Sequence, residues 1–340
     1  MDEFARQKPD DRRAFIEESA NRRDLTSVIT EKDFWVCWTL RRLTTSPELE
    51  GHVTFKGGTS LSKAYGIIQR FSEDIDLTIR RTAPLIDQVA SPTVVGIGTK
   101  ERRRRTDALK AAAQAYVETV ALPALSKAIE AALGTKEGWS VELDPDDGDR
   151  QTLLFNYPRV TEVGADDAYI RPRIKLEYGA RGDPEPFEER PITPYLAEDF
   201  PDELPDAATL VPTLSVQRTY WEKATILHSL HHKGKLRDGL SRHYYDLVML
   251  DLAGITDEAL AQPDLLEAVV RNKSLMFADR AASYETAVIG QLRLVPTGLI
   301  EALARDYQAM TDMFMVKPPS LKELLEALSE LEARLNRLPA

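Results

Sequence analysis

The chain has 340 residues, 43% of them hydrophobic, and carries 44 Lys and Arg against 55 Asp and Glu, a formal net charge of −11. That length supports about two or three packed units without disulfides, and the single Cys37 fits a reducing cytoplasm. The acidic balance excludes broad, sequence-independent coating of nucleic acid while leaving room for a local basic cleft. With no N-terminal apolar h-region and no apolar run of bilayer length, the sequence predicts a soluble cytoplasmic protein with no membrane partner.

Residues 10–45 read as helical. Thr30 is placed to cap the run 31–43, with Asp33 at the capping-box position, and Phe34, Trp35, Val36, Cys37 and Trp38 give that helix a surface suited to burial. Cys37 reads as core, since no metal-type cysteine spacing surrounds it. The stretch 52–55 then has strand composition and runs into Lys56, Gly57, Gly58, Thr59 and Ser60. Two glycines let the backbone turn sharply and approach a ligand. Thr59 and Ser60 would open a helix over 61–69, so that backbone N–H groups and hydroxyls point at one anion such as a polyphosphate.

The next strand, ending near Arg81, alternates. Ile75 and Leu77 face one side and Asp74 and Asp76 the other, because strand side chains repeat every second residue. Two hard oxygen ligands beside a phosphate cradle suit Mg²⁺ or Mn²⁺ bridging to nucleotide phosphates. The plainer reading is a glycine turn and an exposed acidic strand edge. Ser72, just upstream, reads equally as a nucleotide contact or a turn serine.

An insertion over about 100–135 follows. Residues 106–133 show helical spacing interrupted by Pro123, which predicts one kinked helix or two. The preceding charge run, 100–105, reads first as a solvated helix start and second as a contact to RNA phosphate. Strands are expected at 139–143, 152–157 and 169–178. The last carries Arg171, Arg173, Lys175 and Glu177 at alternate positions, and Glu177 is the candidate third carboxylate, as metal ligand or general base. An ordinary amphipathic edge strand would show the same alternation. Proline-rich residues 179–212 read as a connector with at most one short edge strand, and the domain boundary is placed there.

A second segment that carries chemistry begins immediately afterwards. A helix through Arg218, Glu222 and Lys223 leads to a loop containing His231, His232, Lys233, Lys235 and Arg237, and a further helix begins near Arg242 and Asp246. From Arg218 to Arg242 there are six Lys or Arg against two acids, a local excess that suits triphosphate or RNA. Taken alone, Lys223 reads as a surface lysine and Asp246 as a helix-start residue favoured by the dipole. His228 and His232 lie one helical turn apart, but solvated or phosphate-contacting histidines fit better than a zinc site that lacks further ligands. The C-terminal third is helical. Ser320 and Glu323 form a capping-box pattern ahead of Leu324, Leu325, Leu328, Leu331, Leu335 and Leu338, a stripe that packs on its own domain or on a partner.

Gly-Gly-Thr-Ser, a short helix and then Asp-x-Asp resembles the polymerase-β-like nucleotidyltransferase superfamily. More narrowly, 55–63 with 70–77 (which includes Glu73), the upstream helix 31–38, and the later stretches 218–223 and 242–247 resemble the AbiEii/AbiGii nucleotidyltransferase toxins, which include the MenT-type proteins. That resemblance implies that Lys223 contacts nucleotide phosphate and that Asp246 holds Lys223, or another cationic group, in position. It also implies transfer of a nucleotide to an RNA acceptor such as the tRNA 3′ end, and a separately encoded antitoxin.

The combined reading is an α+β protein: an N-terminal helical segment over 1–50, a nucleotidyltransferase core with a mixed sheet over 51–180, the connector 181–212, and a helical C-terminal domain over 213–340. NTP is the expected substrate and Arg242 an expected phosphate contact. Asp74, Asp76, Glu177, Lys223 and Asp246 are the expected catalytic set, with pyrophosphate released. Two other readings share these residues: transfer to a small molecule or protein side chain, and a catalytically silent nucleotide-binding module.

Overall fold

A computed structural model describes residues 1–72, 74–162 and 171–337. Glu73 of the acidic motif, positions 169 and 170 of the third strand candidate, and Leu338 of the leucine stripe lie outside the described residues. The chain divides into two compact units. The first comprises Met1–Ala64, Ser72–Ser91 and Thr99–Leu214, and the second Tyr65–Phe71, Pro92–Gly98 and Ser215–Ala340.

The first unit is built on a seven-stranded mixed sheet of order β3-β4-β5-β2-β1-β7-β6. Its strands are β1 (Val53–Lys56), β2 (Asp74–Ile79), β3 (Ser140–Leu143), β4 (Thr152–Asn156), β5 (Ile174–Gly179), β6 (Phe187–Ile192) and β7 (Thr209–Leu214). β2 runs antiparallel to β1 and parallel to β5, so the two strands expected to carry carboxylates are neighbours near the centre of the sheet. The proline-rich span holds two strands and a helix, where composition suggested one short edge strand. Its prolines are tolerated because β6 is the edge, where a missing N–H costs least, and β7 is tied to β1 by a single paired position, Phe55 with Thr213.

The helices of this unit are α1 (Asp2–Ala5), α2 (Pro9–Arg23), α3 (Ser27–Thr45), α4 (Gly57–Lys63), α5 (Thr99–Tyr116), α6 (Leu122–Leu133) and α7 (Tyr195–Asp199). The helical region expected over 10–45 consists of two helices, and the break between them falls at Asp24–Thr26 rather than at Thr30. Asp24 adopts a left-handed conformation after α2, and Thr26 caps α3 by accepting from the Ile29 N–H at 3.3 Å. Thr30 is therefore one turn inside α3 and is no cap; its hydroxyl bonds back to the Thr26 carbonyl.

α3 supplies much of the core. Trp35 stacks on Tyr157 and Trp38 on Phe155 of β4, all buried, and Cys37 of the same helix is buried too. Two neighbouring charges on α3 hold the later chain: Glu31 accepts from the Val160 and Thr161 N–H groups, and Lys32 donates to the Arg171 carbonyl. In the insertion, a π-helical turn, Val117–Ala121, joins α5 to α6, with Pro123 in the first turn of α6. The proline lacks the N–H that a continuous helix would use there.

The second unit is helical: α8 (Val216–Lys233), α9 (Ser241–Leu252), α10 (Ile255–Leu260), α11 (Pro263–Met276), α12 (Ile300–Ala309) and α13 (Leu321–Arg337). The Ser320 and Glu323 capping box forms, with the Ser320 N–H donating to Glu323 at 2.7 Å and the Glu323 N–H to Ser320 at 3.3 Å. Leu324, Leu328, Leu331 and Leu335 are buried and α13 packs on α9, so the stripe serves its own unit. No described helix is long and apolar enough to cross a membrane.

Candidate active site

The glycine motif turns differently from the sequence expectation. Gly57 and Gly58 are themselves the first turn of α4, which ends at Lys63 rather than near Gln69. Gly57 has φ +82°, and a Cβ built there would stand 2.0 Å from Asp76 Oδ2. The position thus requires glycine twice over, for its backbone and for the carboxylate packed against it.

The hydroxyls of Thr59 and Ser60 are buried and bonded internally, not aimed at an anion. Thr59 Oγ1 donates to the Asp74 carbonyl at 2.5 Å and sits 3.0 Å from Ser72 Oγ, while Ser60 donates to the Gly57 carbonyl at 2.9 Å. With its one proton spent on the carbonyl, Thr59 accepts from Ser72. These bonds brace α4 against the entry to β2. At its other end α4 is anchored by Lys63, whose Nζ lies 2.7 Å from Asp33 Oδ1 on α3 and 3.9 Å from the Tyr195 ring centroid. Burial opposes the Lys63 charge, but the Asp33 carboxylate outweighs it and raises the ammonium pKa.

Pairing registers place the polar side chains of β1, β2 and β5 together. Lys56 is opposite Asp76, Asp74 opposite Lys175, and Asp76 opposite Glu177. Cross-strand partners share a face, so Lys56, Asp74, Asp76, Lys175 and Glu177 line one side of the sheet, all half-buried, while Ile75, Leu77, Ile174 and Leu176 fill the core on the other. A Cβ at Gly182 would lie 3.7 Å from Lys56 Nζ, so the strand-free segment after β5 also borders this face.

Glu177 is on the expected face but engaged: Lys175 Nζ donates to it at 2.5 Å. Among the described residues no group of three or more His, Cys, Asp or Glu is placed to hold a metal ion. The structure therefore brings Asp74 and Asp76 to one face and does not gather Glu177 with them into a three-carboxylate cluster. Two carboxylates nonetheless fit Mg²⁺, which keeps several waters and takes one or two carboxylates plus substrate phosphates rather than an all-protein cage.

In the second unit, Asp246 is a fully buried residue within α9, not a helix-start residue. Arg70 grips it with both arms of its guanidinium, Nε to Oδ1 at 2.8 Å and Nη2 to Oδ2 at 2.9 Å, and Lys223 of α8 donates to Oδ2 at 2.6 Å. Lys223 also reaches His243 Nδ1 at 3.0 Å. Because an ammonium only donates, that imidazole nitrogen accepts and the ring proton belongs on Nε2.

Burial works against the Asp246 charge, yet Arg70 and Lys223 hold the carboxyl well below the usual carboxylate range. Burial pulls Lys223 below the ordinary lysine value although Asp246 pulls upward, and burial and Lys223 push His243 well below the ordinary histidine value. Arg242, adjacent on α9, is exposed.

Arg70 and His243 were not singled out by sequence reasoning. The signal available was Asp246 itself: a carboxylate on an apolar helix face, flanked by Tyr245 and Leu247, needs cations. The histidines of α8 offer no metal site. His228 uses Nε2 toward the Ser283 carbonyl at 3.0 Å and Nδ1 to accept from the Arg293 N–H at 3.1 Å, and His231 Nδ1 pairs with the Val295 carbonyl at 2.7 Å.

Comparison with known proteins agrees with this architecture. A family model described as "Nucleotidyl transferase AbiEii toxin, Type IV TA system" matches residues 38–331. Among solved structures, the nucleotidyltransferase toxin MenT4 from Mycobacterium tuberculosis H37Rv superposes with a TM-score of 0.55 at 16% identity, covering 96% of this chain and 90% of that one. A search of curated proteins finds no significant match. The chain is a nucleotidyltransferase, and it belongs to the AbiEii toxin family of type IV toxin–antitoxin systems.

Proposed function

We propose that this nucleotidyltransferase transfers a nucleoside monophosphate from an NTP to an RNA acceptor, in the manner of a tRNA 3′-end hydroxyl, and that a separately encoded antitoxin opposes it. The observation that carries the reading is the close approach of Gly57 to Asp76 on a face shared with Asp74 and Lys56. It leaves two carboxylates and a cation beside a backbone segment that a side chain would block.

In this reading Asp74 and Asp76 hold a divalent cation, Mg²⁺ or Mn²⁺, which when bound neutralises the triphosphate and favours ionisation of the acceptor hydroxyl. Lys56 and the backbone of Gly57, Gly58, Thr59 and Ser60 border the nucleotide, with Ser72 bracing Thr59. Lys223 meets nucleotide phosphate, and Asp246 fixes the direction of Lys223 and Arg70. Lysine is a compact cation suited to the charge that develops on phosphate. The acceptor hydroxyl gives its proton to solvent, its oxygen attacks the α-phosphorus in line, the bond from that phosphorus to the oxygen bridging to the β-phosphate breaks, and pyrophosphate leaves. Glu177 is proposed as third carboxylate, at the expense of its pairing with Lys175.

The test is incubation of the protein with each α-labelled NTP, divalent cation and total tRNA, comparing wild type with Asp76→Ala. Label on RNA that disappears in the variant, at unchanged thermal midpoint, is the expected result, with a loss of at least about 10³-fold, or roughly 4 kcal/mol of transition-state stabilisation. Label confined to a small molecule or a protein side chain overturns the RNA acceptor; nucleotide binding with no transfer anywhere overturns the reaction.

A further inference from the structure

We propose that the loop between α8 and α9, residues 234–240, together with Arg242, is a docking surface for the phosphate backbone of an RNA strand. This rests on the RNA-acceptor reading above and assigns the acceptor a place on the protein.

The structure sorts the basic segment into two classes. Three of its cations have acidic partners: Arg218 lies 3.4 Å from Glu222, Lys223 2.6 Å from Asp246, and Lys233 2.9 Å from Asp279. The other three, Lys235, Arg237 and Arg242, are exposed, and none forms an ion pair or side-chain hydrogen bond among the described residues. These three cations outnumber the one acid between them, Asp238, in a chain with eleven more acids than bases. In the basic stretch at the start of α5, by comparison, Glu101 pairs with both Arg104 and Arg105.

The loop is also held in shape. Asp306 of α12 accepts from the Gly239 N–H at 2.6 Å and the Ser241 N–H at 2.7 Å, and Gly234 and Gly239 supply the positive φ values, 60° and 79°, that bend the backbone between the helices. The α9 end of the loop is therefore anchored, which lowers the ordering cost of binding a polyanion there. Exposed cations spread along a loop suit successive phosphates of a strand, where binding is driven by release of the counterions condensed on the nucleic acid. A single nucleotide is better served by a compact, buried group such as Lys223.

The experiment uses the full chain and fluorescently labelled total tRNA. Binding is measured against salt for wild type, for Lys235→Ala/Arg237→Ala, and for the conservative Lys235→Arg/Arg237→Lys. Each lost phosphate contact lowers the steepness of the log–log salt dependence by about 0.7–0.9, so the alanine pair is expected to flatten it by roughly 1.5 and to weaken binding about tenfold at 0.1 M salt. The conservative pair is expected to retain wild-type behaviour, and all three to bind a fluorescent NTP equally with one thermal midpoint.

An unchanged salt slope in the alanine pair, with wild type still labelling RNA, overturns the loop proposal alone. Weakened NTP binding in that pair would place the loop at the nucleotide and overturns it as well. If wild type neither binds nor labels RNA, or labels a protein acceptor instead, the acceptor reading falls and the loop proposal with it.

Discussion

Asp76 in the first unit and Asp246 in the second carry the same side chain into opposite surroundings. Asp76 is half-buried on the polar face of a strand, beside a glycine whose missing Cβ makes room for it. Asp246 is sealed in a helical core with cations bonded to its oxygens: Arg70 on both and Lys223 on one. Under the proposed function Asp76 takes up and releases a ligand, and it stands where water reaches it. A carboxylate whose charge serves to orient cations is buried with them, because in a low dielectric each ion would be costly alone.

Removing the buried partner is expected to have the largest effect on stability. Asp246→Ala removes the buried carboxylate to which both Arg70 and Lys223 donate, which costs about 3–5 kcal/mol. Urea unfolding measures it, and a loss below about 1 kcal/mol would mean that the network is not what holds these cations. The same residue sets an acid limit. Because the folded-state pKa of Asp246 is depressed, its contribution is complete above the unfolded value of about 3.9 and is lost as pH falls through the folded one. Asp246→Asn should therefore unfold with a weaker dependence on pH in that acid range. Lys223 acts in the other window: with its pKa lowered, the unfolded chain binds more protons between that value and about 10.4, so stability rises with pH there.

Gly57→Ala probes the half-buried carboxylate of Asp76 with a smaller structural cost. The left-handed backbone penalises any side chain by roughly 1–2 kcal/mol, and the added methyl must displace the Asp76 carboxylate. Transfer is expected to fall to the level of Asp76→Ala while the thermal midpoint drops only a few degrees. Activity retained within about tenfold would sever the proposed link between this glycine and the carboxylate.

Glu177→Gln should do least. Its ion pair with Lys175 is substantially exposed, so stability should change by less than about 1 kcal/mol. A loss in transfer of about tenfold, partly restored by raising the divalent cation concentration, would make Glu177 a third carboxylate. No change in rate would leave it as an ordinary surface partner of Lys175.

How much of this was legible in sequence differs between the two regions. The face of β2 could be read directly, since alternation assigns Asp74 and Asp76 to one side whatever the strand packs against, and the α+β composition followed from similarly local patterns. Cap assignment was less secure: Thr26 and Thr30 are equally good chemical caps, and the left-handed Asp24 that ends α2 chose between them. The hydroxyls of Thr59 and Ser60 looked available because sequence shows what a side chain can bond to, not what it already bonds to.

Strand period, glycine chemistry and helix spacing act over a few residues, and they were enough to locate the carboxylates, the close-approach turn, the basic segment and the leucine stripe of α13. Long-range packing had to specify the rest. Arg70 and Asp246 are 176 positions apart, and only the folded core makes them partners. The same holds for Asp306, which shapes a loop 67 positions away, and for the division of six similar cations into three that are paired and three that face solvent. Burial and pairing depend on which surfaces meet, and no window of neighbouring residues contains that information.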